Sequence, residues 1–218
     1  MAEFDKDAIA NMRRSYGESG LSESEIDSNP IQQFRIWLKD AAENPIVVEA
    51  NAMVLATVID SQPTSRTVLL KDVTEAGFTF FTNYNSAKST AIAGNEKVSL
   101  LFPWYPLERQ VKILGGAAKI SDAESDAYFA TRPWSSKIGA WASDQSAPLS
   151  SRAELESKWS EFAAKYPEGS EVPRPSHWGG FLVIPISIEF WQGRYSRLHD
   201  RIRYTKTGGE WKVQRIYP

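Results

Sequence analysis

Three consecutive segments, AMVLATVID (52–60), TSRTVLLKDV (64–73) and GFTFFTN (77–83), are rich in β-branched and aromatic residues and separated only by short polar or glycine-containing turns. Strands joined so tightly form an antiparallel meander. Further strands are predicted at KVSLLFPW (97–104), as a pair within ERQVKILGGAAKIS (108–121) broken at Gly115-Gly116, and at 178–193, 198–207 and 210–218, the last two joined by a Gly208-Gly209 hairpin turn. Helices fall between them. Asn29-Pro30 opens one whose apolar positions Ile31, Phe34, Leu38 and Ala41 recur at helical spacing until Asn44-Pro45. Others are expected over 86–95 and, from the capping boxes Ser121–Glu124 and Ser151–Glu154, from Asp122 and from Arg152 to Lys165. A short helix over 5–16 is predicted to precede an acidic stretch, 17–29, that reads as a flexible linker. The fold class is therefore mainly β with peripheral helices, a closed or partly open, largely antiparallel barrel rather than a doubly wound sheet.

Composition removes several functions. The 218 residues hold 42% hydrophobic and 24% charged positions, as in an ordinary globular protein. Without cysteine there is no disulfide framework, thiolate metal site or cysteine nucleophile, and the chain suits a reducing compartment, so a cytoplasmic location is expected. The two histidines, His177 and His199, form no metal-binding pattern, so no metal is expected. With 25 basic and 27 acidic residues no global field favours nucleic acid, and neither a signal peptide nor a membrane-spanning run is read in the sequence. Neither a dinucleotide-binding glycine motif, a phosphate-binding loop nor a nucleophile elbow is present.

The candidate chemistry lies in basic residues. On a strand, Arg197, His199, Arg201 and Arg203 share one face, an arrangement explained by acids or a bound anion opposite, or by a solvated outer face. Arg66 and Lys71 have opposite strand parity and address different faces unless a bulge intervenes. Tyr128, Arg132 and Ser136 are spaced four apart and suit a phosphate, although Pro133 interrupts the helix and Arg132 equally suits a helix C-terminus. Trp141, Trp178 and Trp191 read as core or interface aromatics or as stacking surfaces. Such a set suits a phosphorylated planar ligand whose own ring performs the chemistry.

The motifs RTVLLK (66–71), FTNYNSAK (81–88), VSLLFPW (98–104), ERQV (108–111), IGAWAS (138–143) with Gln145-Ser146, WGGF (178–181), IEFWQG (188–193) and RLHDR (197–201) occur in one order, and together they give a chain that resembles the pyridoxine (pyridoxamine) 5′-phosphate oxidase family over nearly its whole length. The resemblance implies an FMN-binding split β-barrel. It also implies a homodimer with FMN at the subunit interface, oxidising pyridoxine or pyridoxamine 5′-phosphate to pyridoxal 5′-phosphate while O2 becomes hydrogen peroxide. Residues 1–29 would be an N-terminal arm and linker acting as an active-site lid, and 30–218 a single FMN-binding domain. The implied cofactor positions are Arg66, Thr67, Val68, Leu69, Leu70 and Lys71, then Phe81, Thr82 and Lys88, then Gln110, Gln145, Ser146, Trp191 and Arg201. Lys71, Tyr128, Arg132 and Ser136 would hold the substrate phosphate. Arg197 and His199 would orient the substrate ring as catalytic residues, under a lid bearing Arg13 and Tyr16. One departure stands out: the family usually has arginine where this chain has Ala87, which removes a charge-assisted phosphate contact. A flavin oxidase of phenazine precursors on the same scaffold and a non-catalytic carrier of flavin or pyridoxal phosphate remain as alternatives.

Overall fold

The structure is a computed structural model and describes residues 11, 12 and 15–218. The helix expected over 5–16 and the lid residue Arg13 lie wholly or largely outside the described residues. The described residues divide into two compact units: 51–102 with 113–187, and those before 51 with 103–112 and 188–218.

In the first unit, β1 (Ala52–Ile59) pairs antiparallel with β2 (Gln62–Leu69), and a short β3 (Asp72–Thr74) pairs with β4 (Gly77–Asn83). With β5 (Lys97–Trp104), β6 (Arg109–Lys119) and β7 (Trp178–Gln192) the order is β2-β1-β5-β6-β7-β4-β3, a path that does not close on itself. This is the mainly antiparallel, incompletely closed architecture that the strand pattern predicts. Period-two burial explains it, since Val98, Leu100 and Phe102 turn inward from β5 and Met53 and Leu55 from β1. Phe80 stacks on Phe181 at 5.6 Å within this core.

Two local expectations fail for physical reasons. The strand through 64–73 is interrupted, because the Leu70 N–H bonds Asn51 O at 2.9 Å while the Lys71 N–H bonds Thr79 O at 2.8 Å, so the chain changes partner between β2 and β3. At Gly115-Gly116, where a break was expected, β6 is continuous. Gly115 is needed there because a Cβ would meet Ile184 O at 2.3 Å, so the glycine admits a close strand rather than a turn.

Four of the five helices among the described residues belong to this unit: α2 (Ala87–Gly94), α3 (Asp122–Thr131), α4 (Trp134–Ala142) and α5 (Arg152–Lys165). Ser121 and Glu124 complete a reciprocal capping box at α3, whereas at α5 the Glu154 carboxylate turns to Ser150 and only the Ser151 cap remains. Helix α4 carries no sequence start signal and follows directly from Pro133, which forbids continuation of α3. Phe129, Ile138, Val172 and Trp178 pack these helices into a second cluster.

In the other unit α1 (Pro30–Glu43) starts where expected, with Asn29 accepting the Ile31 N–H at 2.9 Å. Its buried face is Ile31, Phe34, Trp37 and Ala41, with Trp37 in the place expected of Leu38. Trp37 meets Phe190 edge-on at 5.1 Å, and Phe190 meets Tyr204 at 5.6 Å. The strands β8 (Asp200–Thr207) and β9 (Glu210–Arg215) form the predicted hairpin through Gly208-Gly209, and β8 pairs with β7.

Candidate functional site

A cavity of about 700 Å3 opens in the unit containing β2, and its walls gather four cations: Arg66, Lys71, Lys88 and Arg132. Arg66 leans across the hairpin, donating to Leu55 O at 3.1 Å, Thr57 Oγ1 at 2.8 Å and Thr64 Oγ1 at 2.5 Å. The β1–β2 register sets Thr57 opposite Thr64, which makes that hydroxyl pair available to it. Lys71 and Arg66 line the same cavity despite their opposite parity, because the partner change at Leu70-Lys71 resets the alternation.

Lys88, in the first turn of α2, donates to Gln145 Oε1 at 2.6 Å, Ser86 Oγ at 3.0 Å and Thr82 Oγ1 at 3.1 Å. All three acceptors are neutral. Burial, aided by the nearby Arg66 charge, pulls the Lys88 ammonium down to a pKa of about 8. Arg132 caps the C-terminus of α3 as one sequence reading expected, yet its Nη1 is buried without a hydrogen-bond partner among the described residues. Its guanidinium lies 4.6 Å from the Trp178 ring, and burial lowers its pKa. Tyr128 stacks on Phe81 at 3.8 Å and 13°, and burial raises its phenol, with Arg132 opposing.

Ser136, Thr67, Val68 and Leu69 line the same cavity, as do Thr82, Gln145 and Ser146. Leu70 does not; it is 4% exposed and belongs to the core. Among the described residues no aspartate or glutamate lines these walls. A buried lysine and two half-buried arginines, given only neutral acceptors among the described residues and with one buried N–H unpartnered there, form a receptor for anions. Ala87 lies exposed on the rim, where a longer side chain would face the cavity.

The other unit holds a second cluster. Trp191, His199 and Tyr16 meet ring to ring: Tyr16 stands edge-on to His199 at 5.4 Å and to Trp191 at 5.7 Å, and Trp191 lies 4.7 Å from His199. His199 Nδ1 accepts the Arg194 backbone N–H at 3.1 Å, which leaves the proton of the neutral ring on Nε2. Burial and the neighbouring Arg197 charge lower its pKa, favouring that neutral donor form. With Arg197, Arg194 and Ser196, His199 and Tyr16 line a cavity of about 450 Å3.

The common strand face expected for Arg197, His199, Arg201 and Arg203 does not form. Strand β8 begins only at Asp200, and Ser196 (φ 55°) and Arg197 (φ 62°) adopt consecutive left-handed conformations, costly for non-glycine residues and typical of functional loops. Arg201 and Arg203 do share a face, and the acid opposite is Glu189. Glu189 is 2% exposed, accepts from Arg201 at 2.7 Å and Arg203 at 3.0 Å, and lies 3.3 Å from Lys112. Burial pushes the Glu189 carboxyl up, but the three cations outweigh it and hold it below the usual range. Gln110 is half-buried on β6, and neither it, Trp191 nor Arg201 lines the 700 Å3 cavity. The sequence reading missed Glu189 and undervalued Trp178, both of which sit inside the motifs IEFWQG and WGGF.

Residues 39–166 match the family described as pyridoxamine 5′-phosphate oxidase, and residues 178–218 match the pyridoxine 5′-phosphate oxidase C-terminal dimerisation region. The chain belongs to the pyridoxamine 5′-phosphate oxidase family. Among its relatives within the curated proteins is the pyridoxine/pyridoxamine 5′-phosphate oxidase of Thermosynechococcus vestitus, 53% identical over 211 residues, 96% of this chain and 99% of that one. Among solved structures, PhzG from Burkholderia lata in complex with tetrahydrophenazine-1-carboxylic acid has a TM-score of 0.86 at 28% identity, covering 94% of this chain and 100% of that one. A pyridoxamine 5′-phosphate oxidase-related, FMN-binding protein from Nostoc punctiforme shares the fold at 18% identity, with a TM-score of 0.68 over 85% of this chain and 97% of that one. This oxidase-family chain has no helix among its described residues long and apolar enough to cross a membrane, and no described cluster of three or more metal-ligating side chains.

Proposed function

We propose that the chain is an FMN-dependent oxidase that converts pyridoxine 5′-phosphate or pyridoxamine 5′-phosphate to pyridoxal 5′-phosphate. The observation that carries this reading is a cavity that gathers four cations and, among the described residues, no carboxylate, with one buried arginine N–H left unpartnered there. Cofactor and substrate each carry one phosphate, and the cations divide accordingly. Arg66 and Lys88, with Gln145 and Ser146, would hold the FMN phosphate, and Thr67, Val68 and Leu69 with Phe81 and Thr82 would form the adjoining wall. Lys71, Tyr128, Arg132 and Ser136 would hold the substrate phosphate, two of them as hydroxyl donors. Bound there, FMN would supply a two-electron acceptor for the substrate, the electrons going on with two protons to O2 as hydrogen peroxide; the alcohol would give the aldehyde directly, and the amine would give an imine that water hydrolyses to aldehyde and ammonia.

The chain's own residues position and polarise. His199, neutral with its proton on Nε2, would donate a hydrogen bond to the substrate ring, and Arg197, displayed by its left-handed turn, would cover that ring. Neither needs to act as the sole base. Trp191, Arg197, His199 and Arg201 all lie within the match to the C-terminal dimerisation region, which supports a homodimer with FMN at the subunit interface. There Gln110, Trp191 and Arg201 would reach the cofactor. The absence of cysteine suits a cytoplasmic enzyme.

The test is anaerobic mixing of FMN-loaded protein with each phosphorylated vitamer while the oxidised-flavin absorbance is followed. Bleaching that air reverses, with aldehyde and peroxide formed, is the expected result. Flavin that stays oxidised with both vitamers refutes the reading. The likeness to PhzG favours a second reading, oxidation of a phenazine precursor, and bleaching by tetrahydrophenazine-1-carboxylic acid but not by the vitamers would select it.

A further inference from the structure

Acidic residues make segment 17–29 read as a solvated linker, but side chains outside it hold the backbone at Gly17, Leu21 and Asp27 and the Glu23 carboxylate. Arg215, at the end of β9, forks onto Glu23 with Nε to Oε1 at 2.8 Å and Nη2 to Oε2 at 2.7 Å. The same Nη2 donates to Leu21 O at 2.7 Å, and Nη1 donates to Asp200 Oδ1. Asp200 in turn accepts the Leu21 N–H at 3.0 Å and Arg194 Nη1 at 3.3 Å through Oδ2. The Leu21 peptide is thus gripped at both its N–H and its C=O, and its side chain is buried. Arg215 holds the Glu23 carboxyl down at about 2, and the hydrogen bonds to Asp200 outweigh its burial and lower it too.

The grip lies close to the aromatic cluster. Four residues upstream of Leu21, the Gly17 N–H donates to Glu108 Oε2 at 2.8 Å, and Tyr16 follows, seated against Gly193. A Cβ at position 193 would stand 2.8 Å from Tyr16 Cδ1, so only glycine admits the ring. Arg194 joins the two parts, since its side chain bonds Asp200 and its backbone N–H fixes His199.

We propose that Glu23, Asp200 and Arg215 are positioning residues, a clamp that holds Tyr16 edge-on to His199 and so sets substrate affinity without touching substrate. This rests on the reading of Tyr16 and His199 as substrate-binding residues given above. If only the docked arm binds substrate well, loosening the clamp lowers the competent fraction and raises the apparent dissociation constant in proportion, while chemistry after docking is unchanged.

Glu23→Ala and Arg215→Met in the FMN-loaded protein test this with two readouts, hydrogen exchange of the peptide covering residues 15–24 and steady-state kinetics with pyridoxine 5′-phosphate. The expected result is faster exchange in that peptide, a KM raised about tenfold in each variant, kcat within about twofold of the parent, and full flavin retention. The double variant should add little to either single one, because both break one clamp, and Arg215→Lys should recover part of the affinity. Unchanged exchange would show that the arm is held by other contacts. Faster exchange with an unchanged KM would show that the arm does not serve the substrate, and a joint fall of kcat, flavin content and core-strand protection would show a purely structural role. Each of these overturns the proposal. If the parent oxidises neither vitamer, the functional reading fails and the affinity role with it, and the exchange result reports on the clamp alone.

Discussion

Replacing Arg132 by methionine separates ligand recognition from stability. The guanidinium packs 4.6 Å from the Trp178 ring, and its buried Nη1 has no partner, so the free protein bears the cost of an unsatisfied charged donor. A charge-assisted hydrogen bond to a phosphate is worth roughly 1.5–3 kcal/mol, so its loss should raise the KM for pyridoxine 5′-phosphate about 10- to 150-fold. Held at a phosphate remote from the reacting carbon, that contact binds ground and transition states alike, so kcat should change little. Stability should move the other way or not at all. Methionine keeps an apolar stem on Trp178, and removing the unsatisfied donor returns roughly 1–3 kcal/mol against about 0.5–2 kcal/mol of lost cation–π attraction. In a chain of this length about 1 kcal/mol corresponds to roughly 2–4 °C, so the melting temperature should stay level or rise by a few degrees. Steady-state kinetics and thermal unfolding of the same preparation check both. A KM within about twofold of the parent, or a melting temperature lowered by more than about 5 °C, would refute this account of Arg132.

The depressed Lys88 pKa makes two pH-dependent outcomes testable. Between its folded value of about 8 and its ordinary 10.5 the unfolded chain binds more protons, so the flavin-free protein should gain stability as pH rises through that window, and a flat denaturation profile would count against it. Over the same rise FMN affinity should weaken as the ammonium is lost, and flavin fluorescence titrations on either side of pH 8 should show it. Ala87→Arg should tighten FMN by roughly 1.5–3 kcal/mol by restoring a guanidinium at the cavity rim; equal flavin retention after dialysis would argue against a phosphate site there. Arg197→Met should lower turnover by about tenfold or more with flavin retained, and parent-like turnover would remove Arg197 from the ring-covering role.

Legibility differed between local and long-range features. The Asn29 and Ser121 caps, the Gly208-Gly209 hairpin and the alternating strands act through neighbours a few residues away, so their signals survive in the linear chain. Helix α4 was missed because it starts from Pro133 without a capping side chain, although Trp134, Ile138 and Trp141 recur at helical spacing. The common face drawn for residues 197–203 failed because strand alternation cannot be extended through a left-handed turn that nothing in YSRLHD announces. Acidity in 17–29 suggested solvation, since the partners of Leu21 and Glu23 lie 179 to 194 residues away.

By itself the sequence determined the antiparallel β class, the capped helix starts at Pro30, Asp122 and Arg152, the exclusion of thiolate chemistry and, through ordered motifs, the family. These follow from short-range sterics and residue chemistry. Tertiary structure decided which charges meet. It brought Arg66 and Lys71 into one cavity by a change of strand partner, left Arg132 Nη1 without an acceptor among the described residues, and closed Arg215 over Leu21. The reason is physical: a cation's partners are set by distance and burial in the folded chain, and neither is a property of neighbouring positions in the sequence.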